Sequence, residues 1–253
     1  MGRVISTHIQ QLHQSKSKRL AVLIDPDKSG MEYLHRIAEI VNKSGIEFIF
    51  FGGSLLTKYE LDDHIKMLRT LTDAKIILFP GSTLQVTPEA DALLFLSLIS
   101  GRNPELLIGQ HVIAAPLIKQ FDLETLATGY MLVDGGRPTT ASYISGSLPL
   151  PADKPDIAAC TAMAGEMLGL NQIYLDAGSG AMNPVSPEII RAVRQSIDLP
   201  IIVGGGIKSV EQAVNAAKAG ADIVVVGNAA EKDPQLLEDI ALNVHAIPSH
   251  TQA

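Results

Sequence analysis

Three groups of residues in this sequence have the types and spacing to handle a phosphorylated substrate. Gly204-Gly205-Gly206 and Gly227-Asn228 each follow a run of Val and Ile. Glycine lets backbone N–H groups approach phosphate oxygens where a Cβ would stand in the way, so two such turns one βα unit apart read as a phosphate cradle. Upstream, Tyr174-Leu175-Asp176-Ala177-Gly178-Ser179-Gly180 offers a third turn. Side chains alternate along a strand, so Tyr174 and Asp176 share a face, and Asp176 is placed to receive a hydroxyl. Asp25, in Ile24-Asp25-Pro26-Asp27-Lys28, and Ser54, in Phe51-Gly52-Gly53-Ser54, form the third group. A carboxylate and a hydroxyl are hard oxygen donors of the kind Mg2+ accepts beside substrate phosphates, which fits a metal–diphosphate clamp. The alternative for the glycines is tight turning alone, and for Asp25 and Asp176 the capping of ordinary turns.

Such residues need a frame, and the hydrophobic pattern supplies one. Runs rich in Val, Ile, Leu and Phe at 21–25, 47–51, 75–79, 92–98, 130–134, 172–176, 200–203 and 222–226 read as strands. Segments of helical period follow most of them, at 31–43, 60–71, 104–119, 156–168, 187–196, 210–219 and 234–244. Eight βα units predict a (β/α)8 TIM barrel, whose chemistry sits on the C-terminal rim of the strands, where all three groups fall. The gap at 81–91 is too short and too rich in Gly and Pro for a crossover helix. A regular third helix is therefore expected to be missing, leaving an apolar slot on the barrel flank; a short loop without a ligand is the plainer reading. The stretch 137–154 is expected to be a lid or another binding loop.

A length of 253 residues suits one such barrel, so a single domain is expected, with the barrel proper at about 20–245. Hydrophobic residues make up 46% and the formal net charge is −7, which favours a well-filled core and disfavours nucleic acid as a partner. No apolar run is long enough to cross a membrane, so no transmembrane segment and a cytoplasmic setting are expected. Cys160 falls on what reads as an apolar helix face with Ile157, Ala164 and Leu168, and small core filler is its expected role. No His pair has metal-ligand spacing, and neither a P-loop nor a Gly-x-Ser-x-Gly elbow occurs.

Taken in order, these motifs resemble the geranylgeranylglyceryl phosphate synthase family, including its bacterial heptaprenylglyceryl relatives, over about residues 20–245. The Ser100-Gly101-Arg102-Asn103-Pro104 run is similar to the second of that family's two groups. The resemblance implies a Mg2+-dependent prenyltransferase that joins the 3-hydroxyl of sn-glycerol-1-phosphate to a long prenyl diphosphate. On that likeness Asp25 and Ser54 hold the metal, Asp25, Lys28 and Asp176 carry the catalysis, and residues 174–180, Gly205, Gly206, Gly227 and Asn228 bind the glycerol phosphate. It also implies a homo-oligomer, dimer or hexamer. One departure stands out: the family's usual motif has Glu where this chain has Asp176, one methylene shorter.

Overall fold

In a computed structural model, which describes residues 4–58 and 60–248, eight parallel strands close into a barrel in chain order. They are β1 Arg19–Ile24, β2 Phe48–Phe51, β3 Lys75–Leu78, β4 Ala92–Leu98, β5 Glu124–Leu132, β6 Gln172–Asp176, β7 Ile201–Gly204 and β8 Ile223–Val226. β8 closes the ring by pairing with β1, Leu20 opposite Val224. Alternation sorts each strand into two layers. On β4, Leu94 and Leu98 join the barrel interior with Phe50, Tyr130, Tyr174 and Val225, while Leu93 joins the layer beneath the helices.

Around the strands run α1 Val4–Gln14, α2 Met31–Ser44, α3 Leu61–Leu71, α4 Gln110–Gln120 and α5 Thr140–Ser145. α6 Pro155–Met167, α7 Pro187–Arg194, α8 Val210–Ala219, α9 Asn228–Lys232 and α10 Gln235–His245 complete the set. Serines cap two of these helices: Ser186 Oγ accepts the Ile189 N–H at 3.3 Å and Ser209 Oγ the Gln212 N–H at 3.2 Å. After β3 there is only a 3-10 turn, Thr83–Gln85, so the outer ring is incomplete where the Gly/Pro punctuation said it would be.

Several expectations need correction. β5 begins at Glu124, six residues before the expected 130, because Thr125, Thr128 and Gly129 interrupt the apolar run although the strand pairs with β4 from Glu124 to Tyr130. Asp134 lies past its end. The helix expected at 104–119 opens as a π turn, Glu105–Gly109, before α4. The loop 137–154 contains α5, nucleated by a Thr139–Ser142 capping box. Cys160 is exposed, and Ile157 and Leu168 with it; α6 buries Ala158, Ala159, Ala162 and Gly165 instead. That helix is apolar on both sides, so periodicity had no contrast from which to choose its inner face.

α1 escaped the sequence reading altogether. It lays Ile5, Ile9 and Leu12 over the N-terminal mouth of the barrel, continuous with the interior cluster. Glu124 accepts the N–H groups of Ile5 and Ser6 at 3.1 and 2.7 Å, an anion at the helix N-terminus. At the other end His13 Nδ1 lies 3.1 Å from Asp222, a buried carboxylate that also meets Lys18 at 3.1 Å and the Ile201 N–H at 2.9 Å. Burial pushes the Asp222 carboxyl up, but hydrogen bonding to His13 and the Lys18 and Arg194 charges outweigh it and hold it below the usual range. The Asp222 hydrogen bond chiefly raises the His13 imidazole. The Asp222 contribution is therefore present above the ordinary carboxylate pKa and lost as pH falls through its lower folded value. The His13 contribution is full below the ordinary imidazole pKa and lost as pH rises through its higher folded value. Urea unfolding of Asp222→Ala at pH 6 should show a loss of about 3–5 kcal/mol, with the wild-type advantage narrowing by pH 8. An equal difference at both pH values would remove His13 from the network.

Candidate active site

β1 ends at Ile24 and the chain turns at once through a 3-10 turn, Pro26–Lys28, capped by Asp25, whose Oδ1 accepts the Asp27 N–H at 3.2 Å. The second carboxylate oxygen meets Lys28 Nζ at 2.7 Å. The turn after β2 runs alongside, so close that a Cβ on Gly53 would lie 3.4 Å from Asp25 Oδ1. Two side chains fix that turn. Asp27 accepts the N–H groups of Thr57 and Lys58 at 2.6 and 3.1 Å, and Gln85 donates to Gly53 O at 2.8 Å. Asp25, Lys28 and Ser54 thereby line one cavity of about 950 Å3 at the C-terminal rim. Among the described residues no three His, Cys, Asp or Glu gather as a metal-binding group. One carboxylate and one hydroxyl facing open space suit Mg2+, which keeps waters and takes substrate phosphate oxygens, and do not suit a metal that wants a full set of protein ligands.

Across the cavity Asp176 ends β6. Tyr130 OH donates to its Oδ2 at 2.5 Å and the Gly178 N–H to its Oδ1 at 2.7 Å. Burial pushes the Asp176 carboxyl up against those two bonds, which makes it a better base than an exposed aspartate. Below it, Tyr174 stacks on Phe79 with centroids 5.1 Å apart and Tyr130 packs edge-on to Phe79 at 5.8 Å, an aromatic floor. Tyr174 and Asp176 do share the inward face. Leu175 and Ala177 do not: both are buried in the outer layer, so they can offer a ligand only their main chain.

The glycine turns meet beside Asp176. Gly205 and Gly206 adopt φ of 78° and 71°. A Cβ on Gly205 would sit 2.4 Å from Asp176 Oδ1, and one on Gly206 2.6 Å from Asn183 O, so conformation and space both demand glycine. Ser179 Oγ donates to Asn228 Oδ1 at 3.2 Å, tying the β6 turn to the β8 turn at Gly227. Ser179, Gly180, Gly205, Gly206, Gly227 and Asn228 all border the cavity.

From the rim the same cavity runs down the barrel flank, where the turn Thr83–Gln85 stands in place of a helix. Val86, Leu93, Phe95, Ala114 and Ile118 line this slot. His111 stands edge-on to Phe95 at 4.4 Å, and burial lowers its proton affinity, so the slot is apolar and uncharged.

Tyr130, Gln85 and the floor residue Phe79 were not among the residues expected at the site. The inward parity of Tyr130 was readable, but nothing in the sequence says that β5 would bring it opposite β6 in the register Tyr130 to Tyr174 and Leu132 to Asp176.

A family model described as the PcrB family matches residues 13–245. The chain belongs to the PcrB family. Its relatives include the geranylgeranylglyceryl phosphate synthase of Chitinophaga pinensis, 53% identical over 229 residues, which is 90% of this chain and 91% of that one. The synthase of the same name from Spirosoma linguale is 54% identical over 235 residues, 93% and 94% of the two chains. In three dimensions the family fold superposes on a crystal structure of (S)-3-O-geranylgeranylglyceryl phosphate synthase from Thermoplasma acidophilum in complex with its substrate sn-glycerol-1-phosphate. The TM-score is 0.89 at 32% identity, covering 95% of this chain and 98% of that one.

Proposed function

We propose that this PcrB-family protein is a prenyltransferase that joins the 3-hydroxyl of sn-glycerol-1-phosphate to a long prenyl diphosphate, geranylgeranyl diphosphate being the expected donor, and releases diphosphate in ether-lipid synthesis. The observation that carries this reading is the single cavity in which a phosphate cradle and a buried carboxylate stand at the head of an uncharged hydrocarbon slot. The slot buries the prenyl tail, each CH2 contributing about 0.8 kcal/mol. Departure of the donor's diphosphate leaves negative charge at the rim beside Asp25. Mg2+, when bound, neutralises that charge, and Asp25 and Ser54 are the residues that would hold it. Lys28 adds a positive charge on the same side. Asp176 holds the glycerol hydroxyl and takes its proton as the ether bond forms, with Tyr130 steadying the carboxylate. The aromatic floor of Phe79, Tyr130 and Tyr174 keeps water from the reacting carbon.

Product formation from sn-glycerol-1-phosphate and prenyl diphosphates of several lengths, with and without EDTA, tests the whole reading. An EDTA-sensitive lipid-soluble product is expected, and Ala114→Trp, which fills the slot, should shift preference toward shorter donors. No prenylated product from any donor would overturn it. Another phosphate-binding barrel enzyme would share the β7 and β8 turns but would have no use for the slot.

The same proposal includes a homo-oligomer in the cytoplasm. Among the described residues no helix is long and apolar enough to cross a membrane. On the flank, however, Ile108, Val112, Ile113, Ile157, Met167 and Leu168 are exposed around α4 and α6. Outer helices that are apolar on both faces are usually covered, and a second copy of this chain is the proposed cover. Light scattering should report a multiple of 27.0 kDa at micromolar concentration; a monomer would remove this part.

A further inference from the structure

The charged groups around the cavity divide into two halves. Asp25, Asp27, Glu231 and Asp233 stand on the β1 and β8 side, with Lys28 paired to Asp25. On the β5 to β7 side stand two cations, Arg137 and Lys208, and neither makes an ion pair with a carboxylate among the described residues. Lys208 Nζ donates instead to the carbonyls of Ala181 and Met182 at 2.9 and 3.0 Å. Arg137 lies over the glycine turn: a Cβ on Gly180 would be 3.0 Å from its Nη2. Its backbone starts from a fixed point, because Gly135 O accepts the N–H groups of Met182 and Asn183 at 2.9 and 3.0 Å and Asp134 Oδ1 accepts the Gly136 N–H at 2.8 Å. The carboxylate on this side, Asp176, is already engaged by Tyr130 and Gly178.

We propose that Arg137 binds the phosphate of the acceptor substrate directly, making that half of the cavity a metal-independent anion site while the opposite half relies on a cation. In a chain with 27 acidic and 20 basic residues, an arginine that borders a cavity and leaves every neighbouring carboxylate alone has its donors available for a ligand. The planar guanidinium matches two phosphate oxygens at once, and the glycine turn beneath it presents N–H groups to the others. This rests on the functional reading above and deepens it, adding a charged side chain to a cradle otherwise made of main chain and the Ser179 hydroxyl.

Calorimetric titration of the full chain with sn-glycerol-1-phosphate in EDTA tests it. Wild type should bind without metal, and Arg137→Ala should bind about ten- to a hundredfold more weakly, the range for loss of a charge-assisted contact, with Arg137→Lys in between. Because the side chain is exposed, the melting temperature should not move. In turnover the same variant should raise KM for the glycerol phosphate far more than it lowers kcat at saturation. Unchanged affinity in Arg137→Ala, or wild-type binding that disappears in EDTA, would overturn the proposal while leaving the transferase reading intact. Wild-type chain that binds no glycerol phosphate with or without Mg2+ would overturn both.

Discussion

Asp25→Ala is expected to lower kcat/KM for the prenyl diphosphate about a thousandfold, while the chain still folds and still binds sn-glycerol-1-phosphate. The size follows from how little else that lines the cavity from the β1 and β2 turns can hold a cation. Ser54 is a neutral hydroxyl, and Asp27 is committed to the N–H groups of Thr57 and Lys58. The neighbouring Lys28, which pairs with Asp25 Oδ2 at 2.7 Å, repels a metal rather than binding it, so without Asp25 the β1 turn is left with Asp27 as its only carboxylate. Stability should suffer little. Asp25 is partly exposed and its ion pair with Lys28 lies at the surface, so the main structural loss is one turn cap, about 1 kcal/mol. Initial rates titrated with Mg2+ give the readout: the variant should need far more metal and still fall short. An unchanged Mg2+ dependence would take Asp25 out of the metal site.

Asp176→Ala should cut turnover at least about a hundredfold if the carboxylate is the base, whereas an effect confined to KM would leave it only a binding group. Tyr130 refines the test. Its hydroxyl donates to Asp176 Oδ2 at 2.5 Å and works against the burial that pushes the carboxyl up. Tyr130→Phe removes a bond that favours the charged form, so the pKa of Asp176 should climb further. The reaction needs the carboxylate, and the acidic limb of the kcat profile should therefore move to higher pH, with activity at pH 6 falling more than at pH 8. A profile that does not move would mean that Asp176 does not titrate in turnover. Asp176, with its shorter side chain, borders the cavity beside Gly205.

Much of this was written in local pattern. Eight apolar runs separated by helical periods leave a parallel barrel as the natural way to bury both faces of every strand, and the position of Gly205, Gly206, Asp25 and Ser54 just past strand ends puts them on one rim. The Gly/Pro punctuation at 81–91 announced the missing helix because those residues cannot sustain one. Local pattern fails where the deciding contact is distant or the contrast is absent. α6 is apolar on both sides, so only packing against β6 and α7 could turn Ala158 and Ala162 inward and Cys160 outward. α1 has the spacing of Ile5, Ile9 and Leu12, but its place over the barrel mouth involves partners far along the chain, Glu124 at its start and Asp222, more than two hundred residues away, at His13. Asp176 could be placed on a strand face from its own neighbours. That a tyrosine would meet it, and that Leu175 and Ala177 would turn their backs on the ligand, follows from strand register and barrel closure, which bring together residues that no spacing along the chain relates.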